Sequence, residues 1–247
     1  MKTIAVYNLK GGVGKTAAAV NLAFAAAAEG RPTLLCDLDA QGAASYYFRV
    51  RPKSVSAKKL VKGSSQVEDA IKATDYDNLH LLPASLSFRK LPIVLNEAKH
   101  SRRRLRDALE PLSEAYELVV LDTHAGLDLE SENVFRASDV VLIPLIPTVL
   151  SVNTYGTMLE FFTKHDLDTE RVRVFFSMVD GRRKLHRTTM EELAARDGRV
   201  LASSVPYSSD VEKMGLYREP LLARSKKSRA AEAYHGLWEE LHPAIFG

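Results

Sequence analysis

Short apolar runs and longer amphipathic or alanine-rich stretches alternate along the 247-residue chain. The apolar runs are continuous rather than alternating, which fits strands buried on both faces. They predict strands over residues 4–7, 33–39, 79–83, 117–122, 139–147 and 172–179. Between them the pattern predicts an alanine-rich helix running to Glu29 and further helices over 67–73, 102–114, 151–165 and 230–245. Gly30 suits the left-handed position after the first helix, and Pro32 blocks continuation. Residues 49–66 are polar and basic and predict a loop with a short helix. In the last helix Tyr234, Leu237, Trp238 and Leu241 fall on one face, as in a helix packed on a core. This alternation predicts a doubly wound α/β fold, a mostly parallel sheet with helices on both faces. No long linker or internal repeat divides the chain, so residues 1–247 are expected to form a single domain.

The first strand leads into Lys10-Gly11-Gly12-Val13-Gly14-Lys15-Thr16, and the alanine-rich helix opens there. Strand, glycine turn and helix start are the context of a phosphate-binding loop. Successive backbone N–H groups of such a loop converge on anionic oxygens, and glycines leave room for that approach. Lys15 is placed to meet the β- and γ-phosphates, and the Thr16 hydroxyl to meet Mg²⁺. The general phosphate-loop pattern asks for glycine at position 9, where this chain has Leu9, and it adds a second lysine, Lys10. Two further apolar runs end in carboxylates: Asp37-Leu38-Asp39 and Leu121-Asp122. Ligands of open α/β sheets gather at that carboxyl edge. Asp122 after a buried strand is the Walker B arrangement, a carboxylate that holds Mg²⁺ through water.

Composition narrows the class further. Hydrophobic content of 46% and charged content of 26% are those of a globular protein. The single cysteine, Cys36, allows neither an internal disulfide nor a cysteine-based metal cage and points to a cytoplasmic setting. No apolar run approaches the ~20 residues of a membrane span. The opening Met1-Lys2-Thr3 is not that of a signal peptide. Net charge is only +3, but the basic residues cluster at 102–106, 182–187 and 224–229.

The Lys10–Thr16 segment resembles the deviant Walker A box, K-G-G-x-G-K-[ST], of the ParA/MinD family of ATPases. Asp37-Leu38-Asp39-Ala40-Gln41-Gly42 resembles that family's D-x-D-P-Q-G segment, with Ala40 in place of proline. Asp122-Thr123-His124-Ala125-Gly126 resembles its D-T-x-x-G segment, and residues 177–182 its T-M-x-D-x-R segment. The resemblance implies ATP and Mg²⁺ as ligands. It implies nucleotide contacts from Lys10, Gly11, Gly12, Val13, Gly14, Lys15, Thr16, Ala17, Asp122 and Met178, and adenine contacts from Pro206 and Tyr207. Mg²⁺ is expected at Thr16, Asp39 and Asp122. The expected catalytic groups are Lys15, Asp39 as the residue that orients water, and Lys10, which in the family reaches the partner's nucleotide. His124 is expected to be structural or exposed rather than catalytic. DNA contacts are implied at Arg182 and extended by charge to Arg183, Lys184, Arg187, Arg218, Arg224, Lys226, Lys227 and Arg229. Asp210 stands where some relatives carry a DNA-contacting arginine.

The function expected from the resemblance is an ATP-dependent homodimer on the nucleoid. It would bind DNA non-specifically and position a cargo through a ParB-like adaptor that stimulates hydrolysis. A chain starting directly on the first strand would lack the N-terminal helix-turn-helix module of some relatives. Two alternatives stand beside this one. A MinD-like membrane regulator would end in a basic amphipathic helix, whereas Glu232, Glu239 and Glu240 make this one acidic. A biosynthetic enzyme of the cobyrinic acid diamide synthase or dethiobiotin synthetase type shares the loop but generally lacks the lysine at position 10.

Overall fold

The computed structural model describes residues 1–51, 55–63, 65–225 and 227–247. Its framework is an eight-stranded sheet: β1 (Lys2–Val6), β2 (Thr33–Asp37), β3 (Lys72–Ala73), β4 (Leu79–Leu82), β5 (Leu118–Asp122), β6 (Val140–Leu145), β7 (Val172–Val179) and β8 (Val200–Pro206). The spatial order is β3-β4-β2-β5-β1-β6-β7-β8. Every pairing is parallel except that of β3 with β4. The doubly wound, mostly parallel sheet is thus present, with one correction. The 67–73 stretch is not a single short helix: a helical turn, Ser65–Glu68, gives way to β3 at the sheet margin.

The apolar runs are continuous because the central strands are covered twice. In β1, Ile4 and Val6 face one core while Ala5 faces the other. In β5, Leu118 and Val120 face the first, Val119 and Leu121 the second. The first core holds the loop-following helix Lys15–Ala28. Its Ala18, Ala19, Ala23 and Ala26 are fully buried, and their small side chains let helix and sheet approach closely. The C-terminal helix Arg229–Phe246 packs on the same face through Tyr234, Leu237, Trp238 and Leu241, all 1% exposed or less. Its Glu240 carboxylate accepts from the Ala202 and Ser203 N–H groups of β8 at 2.6 and 2.8 Å. No helix among the described residues is long and apolar enough to cross a membrane.

The winding sets the site. β1 and β5 are neighbours, yet the connection from β1 passes over β5 to β2 on one face and that from β5 passes over β1 to β6 on the other. Their carboxyl ends open a crevice between diverging connections, the place where such sheets bind ligands.

Candidate functional site: the loop after β1

The loop after β1 is shaped by its own polar groups. The Asn8 side-chain amide donates to the Pro144 carbonyl at 2.7 Å, and the Lys10 N–H donates to Asn8 Oδ1 at 2.8 Å. The Ser177 hydroxyl on β7 donates to the Val13 carbonyl at 2.8 Å. Gly12 and Gly14 take φ of +71° and +92°, where side chains are strained. A Cβ at Gly11 or Gly12 would meet nothing within 4 Å, so open space lies above the loop. Lys15, 8% exposed, closes the loop by donating from Nζ to the Lys10 carbonyl at 3.1 Å. Burial lowers its pKa, against the opposing pull of Asp122 and Asp39.

Asp122 lies beneath this loop, fully buried, and neither carboxylate oxygen has a hydrogen-bond partner. Burial first, then the charge of Asp37 on the adjacent strand, push its pKa well up; the nearby Thr16 hydroxyl and Lys15 pull it down. Asp37 is register-paired with Asp122 across β2 and β5. It is also buried, and burial lifts its pKa to about 6 although Ser45 donates to its Oδ2 from both N–H and hydroxyl at 2.7 Å. A buried carboxylate without partners costs free energy that only a cation or a proton relieves. Among the described residues no three His, Cys, Asp or Glu side chains form a metal cage. A magnesium ion, which keeps most of its waters and borrows few protein ligands, needs no cage.

The cleft above the loop has a volume of about 760 Å³. Its lining includes the predicted Gly11, Gly12, Gly14, Lys15, Thr16, Ala17, Asp39 and Met178. Met178 is itself in the left-handed region, at φ +54°. Lys10 is half-buried and is not part of the lining. Pro206 and Tyr207 do not line it either. They line a neighbouring cavity of about 590 Å³ beyond Val179, together with Arg182 and Arg229. A third cavity, of about 500 Å³, contains Arg103, Arg136 and Arg171, each already held by a carboxylate, and none of the predicted residues.

Sequence reasoning missed several side chains of the cleft: Tyr47, Phe88, Arg89, Asp128, Glu130 and Glu212. They arrive from elements far apart in sequence, and none stands in a motif. His124 lines the cleft and is held between two carboxylates. Its Nδ1 lies 3.1 Å from Glu130 Oε1 and its Nε2 3.7 Å from Asp128 Oδ2. Hydrogen bonds to Asp128 and Glu130 raise its pKa to about 10. The Tyr7 hydroxyl and the Ser131 hydroxyl both donate to the Gly126 carbonyl, tying down the same loop.

The basic residues divide into two settings. Arg182 is 92% exposed and pairs with Asp180 at 3.0 Å; Arg183 reaches the same carboxylate at 3.8 Å. Arg187 donates to the Gly181 carbonyl, and Lys184 is exposed beside them. Arg218 donates to the Tyr46 carbonyl and stacks 4.5 Å above the Tyr46 ring. Arg224 stacks 3.9 Å over Tyr217 and lies 3.7 Å from Glu219. Lys227 and Arg229 are exposed, and Lys226 lies outside the described residues.

Comparison with known proteins shows the family and the fold of the chain. A family profile described as an AAA domain matches residues 1–171. The sporulation initiation inhibitor protein Soj of Bacillus subtilis is 30% identical over 97% of this chain and 98% of its own. A putative plasmid partition protein from Borrelia burgdorferi, bound to AMPPNP, superimposes with a TM-score of 0.84 at 23% identity, covering 99% of both chains. Cobyrinic acid a,c-diamide synthase from Mycobacterium smegmatis, with bound ADP and magnesium, reaches 0.81 at 24% identity over 98% of this chain and 94% of that one. With Lys10 and Lys15 flanking the loop and a Soj relative aligned end to end, the chain belongs to the ParA/MinD family of deviant Walker A P-loop proteins.

Proposed function

We propose that the chain is an ATP-driven dimerisation switch that binds DNA without sequence preference and positions a cargo through an adaptor protein. The observation that carries this reading is the fully buried, partnerless Asp122 carboxylate beneath an open glycine loop closed by Lys15. Solved proteins of this fold hold ADP with magnesium or AMPPNP, and the family profile covers the loop. The backbone N–H groups of residues 11–16 cradle the β- and γ-phosphates, and Lys15 neutralises them. Thr16 and Asp122, with Asp39 alongside, would hold Mg²⁺, which supplies charge neutralisation between the β- and γ-oxygens. Asp39, at the end of the β2 run, orients the attacking water. The cavity of Pro206 and Tyr207 continues the cleft past Met178 and takes the adenine.

Lys10 is given to the partner's nucleotide, in keeping with its absence from the lining of its own cleft. An ammonium about 4 Å from a phosphate charge contributes on the order of 4 kcal/mol at an effective dielectric near 20. That is ample to couple ATP to dimer formation. The dimer doubles the basic surface of Arg182, Arg183, Lys184, Arg187, Lys227 and Arg229, and phosphate affinity climbs with each charge added. Arg218 and Arg224, stacked on tyrosines, contribute less. A ParB-like adaptor then accelerates hydrolysis and resets the monomer on the nucleoid.

The buried apolar face of the Arg229–Phe246 helix argues against its insertion into a membrane. Cys36 is fully buried with its pKa pushed up by burial, so it is no nucleophile for glutamine hydrolysis. The test is DNA co-sedimentation with ATP, with ADP and without nucleotide. Pelleting with ATP alone is expected; pelleting that ignores nucleotide would refute the switch.

A further inference from the structure

We propose that Arg89 is a catalytic residue of ATP hydrolysis, a guanidinium supplied by the same chain to the γ-phosphoryl group as it leaves. This assignment rests on the reading of the cleft as an ATP site.

Arg89 lines the cleft beside Phe88 and Pro92 and is the only arginine of that lining among the described residues. It stands on the 3-10 turn Leu86–Lys90, which follows β4. Because β4 lies next to β2, this turn borders the Asp39-Ala40-Gln41 segment that follows β2. The water-orienting position and Arg89 therefore share one side of the crevice, across the loop from Met178. Most arginines of the chain are committed to carboxylates, such as Arg136 to Glu132 and Arg199 to Asp197. Among the described residues the Arg89 guanidinium makes no ion pair or hydrogen bond, and its side chain is exposed at the lip.

The backbone under it is fixed. Phe88, 2% exposed, roots the turn in the core. Ser85 caps the turn, accepting from the Ser87 N–H, and the Ser87 hydroxyl accepts from the Ala57 N–H at 2.9 Å. The Ser45 hydroxyl accepts from the Ala84 N–H at 2.9 Å while donating to Asp37. The segment leading to Arg89 is thus tied through Ser45 to Asp37 at the end of β2, two residues before Asp39. The backbone under Arg89 is therefore fixed, while its guanidinium is free to turn toward charge developing in the cleft.

The acid-rich lining gives that cation a purpose. Asp39, Asp128, Glu130 and Glu212 face the cleft against Lys15, His124 and Arg89. His124 is occupied by Asp128 and Glu130, and Lys15 is already assigned to the β- and γ-phosphates from within the loop. In hydrolysis the water oxygen bonds to the γ-phosphorus as the bond to the β,γ-bridging oxygen breaks. ADP leaves with that oxygen and its electron pair, and the water's proton ends on the released phosphate. Negative charge spreads over the γ-oxygens and the bridge, and a guanidinium spans two such oxygens where an ammonium meets one.

The experiment compares the full chain with R89A in three measurements: ATP affinity, affinity for ADP with aluminium fluoride, and single-turnover hydrolysis. R89A is expected to keep ATP affinity within about threefold while losing about a hundredfold in turnover and a comparable factor in aluminium fluoride affinity. Wild-type turnover in R89A would overturn the assignment. So would equal losses of ATP and aluminium fluoride affinity, which describe a ground-state contact. A wild-type chain that binds no ATP would instead remove the reading of the cleft itself, and this assignment with it.

Discussion

At the scale of single residues, Asp122 is held in a state the empty fold does not favour. Its carboxylate is sealed from water and lacks partners. D122N is therefore expected to stabilise the nucleotide-free chain by ~1–3 kcal/mol, as a neutral isostere relieved of charge burial. Nucleotide binding in magnesium should weaken at the same time. Chemical denaturation beside a titration with fluorescent ATP checks both, and a destabilised D122N would contradict the burial argument. His124 makes a pH prediction. Its pKa rises from an ordinary 6.5 to about 10 on folding, so its stabilising contribution is complete below 6.5 and lost as pH climbs through about 10. The stability gap between wild type and H124Q should be widest just below pH 6.5 and close above about 10. Asp122 and Lys15 were legible in the sequence because each sits within a few residues of the turn that defines its role. Arg89 was not, because only the adjacency of β4 and β2 brings it to the cleft.

At the scale of elements, the glycine loop separates two requirements that one motif combines. Gly14 combines φ of +92° with a hypothetical Cβ only 3.0 Å from Ser177 Oγ. G14A should cost ~1–3 kcal/mol of stability even without nucleotide. Gly11 has neither constraint, since a Cβ there meets nothing within 4 Å. G11A should unfold within about 0.5 kcal/mol of wild type and yet lose ATP affinity, because its methyl group occupies the space left for phosphate. Thermal melts of both variants with and without ATP decide the matter; equal melting without nucleotide would remove the distinction. Six strands were readable because their runs were apolar, whereas β8 was not, since its residues are mostly only half-buried at the sheet margin. The 67–73 stretch was misread because β3 spans only two residues and its pairing with β4 is a long-range event that local pattern does not encode. The Pro206–Tyr207 element was placed by resemblance, and it lines the cavity beside the loop rather than the loop's own cleft.

At the scale of the whole molecule, the parallel sheet gathers the loops after β1, β2, β4, β5 and β7 at one rim, and the proposed nucleotide-dependent dimer would form there. K10A should remain a monomer with ATP in analytical ultracentrifugation while keeping most of its own ATP affinity. Dimers of undiminished stability in K10A would exclude the trans contact. The opposite flanks of the sheet close off another route. One margin is the two-residue β3. At the other, irregular pairing breaks the register of β8 with β7, and the Glu240 carboxylate occupies the N–H groups of Ala202 and Ser203. Short, irregular or occupied margins of this kind disfavour the addition of a neighbouring molecule's strand. In the proposed switch, copies of the chain would therefore meet face against face. Spending the nucleotide between the faces would then separate them, as it could not separate a ribbon grown edge to edge.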